Sequence, residues 1–469
     1  MKHDRTGDLA QAVAAFACSD VRPGASTLER AKLVFADTLS ATVAGATSDV
    51  LGPLRAYLES QPSLAPDKVV LGTNIKSSPE LAALVNGTQA AALEFDDVLS
   101  IMPAHPSAVV VAALMACEDG LNASGEEVLV AYAVGVEAGA RIAQAITLDH
   151  YKRGFHATGT IALFSAVAAL ARIQGLSEAM TRRSLGLAAS MSSGVQGNFG
   201  TMTKPLHSGW AARNALAAVS MATCGLTANE SIFEAEGGYF AAYGSDNSHA
   251  DRMPNAFGQP WIFDEPGVTL KLFPCCYANH RGMDALRQLM ANFQVGPNEV
   301  AHIRCDVPPG GLIPLKFDRP RTHFESLFSF PHALAVTALD GMPGLKSFSQ
   351  ERVVADDVAR MLERIEVVES ESCVAAHPDY NSKSYGSRGE VRVTLETTDG
   401  RADSVTVVYA PGHPLRPMTW EQAQGKFEGC LDAAGLSTEQ AQRAFADVRN
   451  LEKLTHFHSL VNQLTLNEE

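Results

Sequence analysis

The chain has 469 residues, 46% of them hydrophobic and 19% charged, with a formal net charge of -15. That length asks for at least two domains, and the composition is that of a folding chain rather than a disordered one. The acidity argues against nucleic acid and anionic membrane as partners, because both need clustered Lys and Arg.

Eight cysteines are spread thinly and form no disulfide framework, which fits a reducing cytoplasm. The first twenty residues lack the apolar stretch of a signal peptide, and no apolar run reaches membrane-spanning length. A cytoplasmic protein with no membrane partner is expected.

In chain order, Ser26 and Glu29 read as a capping box that opens a helix stopping at Gly45. Ala-rich helical spacing recurs over 79–92, 106–118, 125–146, 159–173, 177–190 and 209–224. So much Ala and Gly predicts helices packed at close range. Strand signals come later, at 302–307, 364–369 and 389–409, the last with a hairpin turn around Asp399 and Gly400. Helical spacing returns after the APGHPLRP loop that begins at Ala410. The fold expected is mainly α with an α+β lid. Its parts are a helical domain over 1–265, an α/β lid over 266–410, and a helical return over 411–469.

Four segments carry candidate chemistry. In EFDDVLSIMPAHPSA, Asp96 and Asp97 precede His105 between two helices. Loops held by rigid helices suit catalytic groups, although an Asp pair also caps helices and His-Pro also opens them. In HYKRGFHATGT, Tyr151 and His156 lie just before a helix start, where free N–H groups can receive a carboxylate and an imidazole can move a proton. The alternative is Thr158 as a simple N-cap.

GVQGNFGTMTKPLHSG reads as a Gly-rich turn presenting Lys204 and His207 to an anion, with the next helix starting at Gly209. It lacks the ending of a phosphate-binding P-loop. TLKLFPCCYANHRGMDA gathers Lys271, Cys275, Cys276, Tyr277 and His280 at the expected domain boundary, where small-molecule sites tend to form. Adjacent cysteines are poorly spaced for zinc, so no metal is expected and both thiols are assigned to packing.

Together, in this order, the four segments resemble the MmgE/PrpD family along essentially the whole chain. That family includes 2-methylcitrate dehydratases, cis-aconitate decarboxylases and iminodisuccinate epimerases. The resemblance implies a helical domain made from both chain ends, an inserted α/β lid, a homodimer, and no cofactor. It also implies that Asp97, His105, His156, Lys204, Lys271 and His280 line a cleft under the lid. One departure concerns FSFPHALAV, where His332 stands at a position that is usually Tyr in the family; it is taken as a substrate contact. The details NFGTMTKP, HYKRGFH and PCCYANH look more like the epimerase branch.

The function expected is therefore acid/base chemistry next to a carboxylate of a small polycarboxylate. The leaning is to an epimerase, with a dehydratase or decarboxylase as the alternative. Lys204 with Asp97, His207 and His332 would bind substrate, and His105, Tyr151, His156, Lys271 and His280 would move protons or hold charge. A rival from another class is a carboxylate-binding protein without catalysis.

Overall fold

The computed structural model describes residues 8–61, 66–252, 257–374 and 385–466. Small residues decide how its helical body is assembled. The Pro79–Ala92 helix crosses the Thr203–Thr223 helix where Gly87 meets Gly209. A Cβ on Gly209 would come within 2.1 Å of the Leu84 carbonyl oxygen, so only glycine lets the two backbones approach this closely. Gly45 serves the same purpose from the Ala25–Gly45 helix, where a Cβ would lie 2.1 Å from the Gln89 carbonyl oxygen.

The Gly125–Ile146 helix starts on a capping box between Ser124 and Glu127 and packs against Ala162–Ile173. Among the described residues it is the one helix long and apolar enough to cross a membrane, and 94% of its apolar window is buried inside the protein. Its apolarity is explained by that core position, since a helix that is hydrophobic all round must be covered all round.

The lid is built on a four-stranded sheet in the order Ile365–Glu369, Val300–Val307, Val391–Thr397, Ala402–Val407. The first pair is parallel and the other two are antiparallel. Val391, Val393 and Leu395 alternate inward, as period-two strands covering one core must. The Tyr277–Phe293 helix lies across this sheet and against the Phe330–Asp340 helix.

Two hydrophobic cores result. One draws on residues from Leu9 to Leu270 and again from Met418 to Leu464; the other draws mainly on residues from Phe273 to Val407. The returning Trp420–Ala433 helix packs on Ala25–Gly45. From it, Lys426 pairs with Asp37 at 2.6 Å and donates to the main-chain oxygens of Phe95 and Lys271 at 2.7 and 2.9 Å.

Three local expectations need correction. The first long helix begins at Ala25 with Gly24 as its cap and no side-chain cap bond; Glu29 instead pairs with Lys32 and accepts from Trp420 Nε1. The helix expected from Gly209 begins six residues earlier, at Thr203, because Pro205 sits in its first turn, where no N–H is missed. The 159–173 segment is broken at Ile161 into Ala157–Thr160 and Ala162–Ile173.

Candidate active site

The Pro79–Ala92 helix ends and Glu94 follows in the left-handed region, at φ 50°. That conformation costs an L-residue roughly 1–2 kcal/mol, and ionic contacts offset it here. One Glu94 oxygen pairs with Lys204 Nζ, and the other lies 3.0 Å from Lys271 Nζ. Lys271 also lies 3.4 Å from Asp96. All four side chains are buried, an arrangement that survives only because two cations face two carboxylates.

The electrostatics follow from that pairing. Burial alone would raise the Glu94 carboxyl, but Lys204 and Lys271 overcome it and hold the group well below the usual carboxylate range. Burial would lower the Lys271 ammonium, but Glu94 and Asp96 hold it above its ordinary value. Asp97 is different. Burial, and then the neighbouring Asp96 charge, push its carboxyl well up; it accepts from Ser107 Oγ at 2.8 Å, and Ser107 meets the Tyr132 hydroxyl at 2.6 Å.

His105 directly precedes the Pro106–Ala116 helix. Its Nδ1 is 2.7 Å from the Asp97 carbonyl oxygen, and Asp96 lies 3.3 Å away. Donation from Nδ1 to that carbonyl leaves Nε2 as a lone pair, 3.4 Å from Lys204 Nζ. Burial pushes the imidazole down to about 4, with Lys204 adding to the effect against Asp96. His156 Nδ1 meets His207 Nδ1 at 2.9 Å, so one ring donates and the other accepts. Burial, then Lys204, drive His156 well below its ordinary value, and the same causes put His207 at about 4.

These groups surround a cavity of about 70 Å³. One water needs roughly 10–15 Å³ by the same measure, so the space suits a few waters or one small ligand. Glu94, His105, Tyr151, His156 and Lys204 line it from the helical body, and Cys276, Tyr277 and Phe328 line it from the lid.

Of the nine residues singled out from sequence, His105, Tyr151, His156 and Lys204 reach the cavity wall. Lys271 and His207 stand one contact behind it, bonded to Glu94 and His156; Asp97 touches the wall only through its main-chain oxygen on His105, and its carboxyl turns away to Ser107. His280 and His332 are not part of the wall. His280 Nε2 contacts the Cys275 carbonyl oxygen at 3.2 Å, with its ring between Phe273 and Tyr277. His332 Nε2 contacts the Ser347 carbonyl oxygen at 3.1 Å, and its ring packs on Phe348. The imidazole at 332 is thus enclosed in the lid core rather than presented to a ligand.

Glu94 was missed, although it opens the EFDD run. A carboxylate just past a helix end reads as a surface cap until two distant lysines are known to meet it. Cys276 was assigned to packing and instead lines the cavity. Among the described residues no three His, Cys, Asp or Glu side chains are grouped to hold a metal ion.

The MmgE/PrpD N-terminal domain model matches residues 7–251, and the MmgE/PrpD C-terminal domain model matches residues 273–453. The chain is 28% identical to a cis-aconitate decarboxylase of Homo sapiens over 439 residues, covering 91% of this chain and 88% of that protein. It is 26% identical to a cis-aconitate decarboxylase of Aspergillus terreus over 468 residues, covering 93% and 91% of the two chains. With both family domains matched in order over a helical body and a sheet-based lid, the chain belongs to the MmgE/PrpD family and is an enzyme of it.

Proposed function

We propose that this enzyme is a lyase that decarboxylates a small unsaturated polycarboxylate of the cis-aconitate type, using its own side chains and working as a homodimer. The observation that carries the reading is the buried Lys204 ammonium in a small cavity between body and lid, beside His105 and His156. The relatives named above favour decarboxylation over the epimerase reading to which the sequence details lean. The division into 1–265, 266–410 and 411–469 belongs to the same proposal and is supported by the two separate cores.

Breaking the bond to a departing carboxylate leaves an electron pair on the substrate, and the site must hold that charge. Lys204 supplies a cation, and the Tyr277–Phe293 helix brings its N-terminal, positively polarised end to the cavity. A well-placed donor in such a dry site contributes about 3 kcal/mol to the barrier reduction. His105, pushed down to about 4, is neutral near pH 7. It therefore serves as a hydrogen-bond partner or proton acceptor, not as a second cation. Glu94 pairs with Lys204 and holds its side chain in place at the cavity wall.

The test is incubation of chelator-treated protein in deuterated water with cis-aconitate, citrate, 2-methylcitrate and iminodisuccinate stereoisomers, followed by proton NMR. Conversion of cis-aconitate to itaconate with release of carbon dioxide is expected. Dehydration of either hydroxy acid, with cis-aconitate untouched, would make it a dehydratase; α-deuteration of iminodisuccinate with inversion would make it an epimerase. Binding of every compound without change would leave a binding protein.

A further inference from the structure

The neighbouring thiols of the PCCYANH segment have different surroundings. Cys275 is fully buried and its sulfur contacts Met283 Sδ at 3.6 Å. Cys276 is half-buried, lines the cavity with His105 and Lys204, and caps the Tyr277–Phe293 helix. Its main-chain N–H donates to the Leu327 carbonyl oxygen at 2.9 Å, which ties its position to the lid. We propose that Cys276 is the acid that delivers a proton to the substrate carbon after carbon dioxide has left; this rests on the decarboxylase reading above.

A carbanion-like intermediate needs a donor that still carries its proton at neutral pH. Burial keeps His105 and His156 neutral, so neither is a ready acid there. Lys204 is held in its ion pair with Glu94, and the Tyr277 hydroxyl is engaged by Thr269. Burial, and then the charge of Glu94, push the Cys276 thiol up to about 11, so it remains S–H. The Ala278 N–H reaches its sulfur, and with Lys204 nearby it can steady the thiolate that forms once the proton has gone.

The step balances without any redox partner. The C–C bond to the departing carboxylate breaks, its electron pair stays on the substrate, and carbon dioxide leaves. The S–H proton then forms the new C–H bond, and the thiolate takes a proton from water to reset. One proton is consumed per turnover.

The experiment compares full-length wild type, Cys276→Ala, Cys276→Ser and Cys275→Ala with cis-aconitate as substrate. Both Cys276 variants should lose roughly 10²–10⁴-fold in kcat, the range for removing a positioned acid, with KM within about threefold and an unchanged thermal midpoint. Cys275→Ala should keep its kcat. In wild type, methyl methanethiosulfonate should modify Cys276 ahead of Cys275, and cis-aconitate should protect it. Normal kcat in folded Cys276→Ala, or a loss confined to KM, would overturn the assignment of the thiol while leaving the decarboxylase reading in place. Wild type that leaves cis-aconitate unchanged would overturn that reading and this step together.

Discussion

His105 of the helical body and the histidines of the lid are alike in lowered proton affinity and differ in what they face. Burial pushes His105 and His332 down to about 4 and His280 to about 3. In the lid, His280 and His332 each spend Nε2 on a main-chain carbonyl, and Nδ1 has no hydrogen-bond partner in the structure. In the body, His105 spends Nδ1 on a carbonyl and turns Nε2 toward Lys204 at the cavity wall. A depressed proton affinity is therefore no mark of a working histidine. Open space and a cation on the free nitrogen set His105 apart.

The largest effect that would sharpen the contrast is expected at the cavity wall. His105→Phe and Lys204→Ala should each lower turnover by about 10²–10³-fold, the loss typical of removing one acid/base or charge-stabilising group. Lys204→Ala should also lower stability in urea, because breaking a buried ion pair is costly, although Lys271 stays with Glu94. Steady-state rates and unfolding curves on the same preparations check both. Unchanged turnover would place these residues with the lid histidines.

Acid is expected to act on both sets together. Six histidines, the half-buried His105 and the buried 150, 156, 207, 280 and 332, have folded values below the ordinary 6.5. The unfolded chain thus takes up protons first, so their contribution to stability is complete above about pH 6.5 and is lost as pH falls toward 4. Asp37, Asp97 and Glu234, which are pushed up, pull the other way and are fewer. Urea midpoints measured from pH 7.5 to 4.5 should fall. A rise on acidification would mean that the buried carboxyls dominate.

The smallest effect belongs to His332→Phe. It removes a hydrogen bond to Ser347 worth about 1 kcal/mol and should leave KM for cis-aconitate unchanged. A severalfold rise in KM would return His332 to the substrate-contacting set.

Much of this was legible in the sequence where local pattern and burial agree. The helices Pro79–Ala92 and Gly125–Ile146 have the expected bounds, because their apolar spacing and buried faces agree; the Ser26–Glu29 box is not formed, because Glu29 is taken by Lys32 and by Trp420 from the far end of the chain. The hairpin through Asp399 and Gly400 is formed, with Gly400 at φ 87°. Legibility failed where distant residues decide. Glu94 acquires its role from Lys204 and Lys271, 110 and 177 residues away. Cys275 and Cys276 are told apart only by which one faces the cavity. The Gly-rich segment pointed to Lys204, which does reach the cavity, but the next helix starts at Thr203 and takes Lys204 into its first turn, while Gly209, expected as the helix start, serves a helix crossing.

Lys426 has a consequence for the order in which the protein is made. Most residues around the cavity lie between positions 94 and 278, and Pro314, Phe328, Gly386 and Ser387 follow in the lid. Yet the main chain beside Glu94 and at Lys271 is held by a side chain that leaves the ribosome long afterwards. Until Lys426 arrives, Asp37 lacks its buried partner and the Phe95 and Lys271 carbonyls lack their donor. Contacts of such long sequence separation form late and slowly. The nascent chain therefore carries a pocket of paired lysines and carboxylates that is mostly written early and locked last, and a stalled or shortened translation product should hold its helices without a finished site.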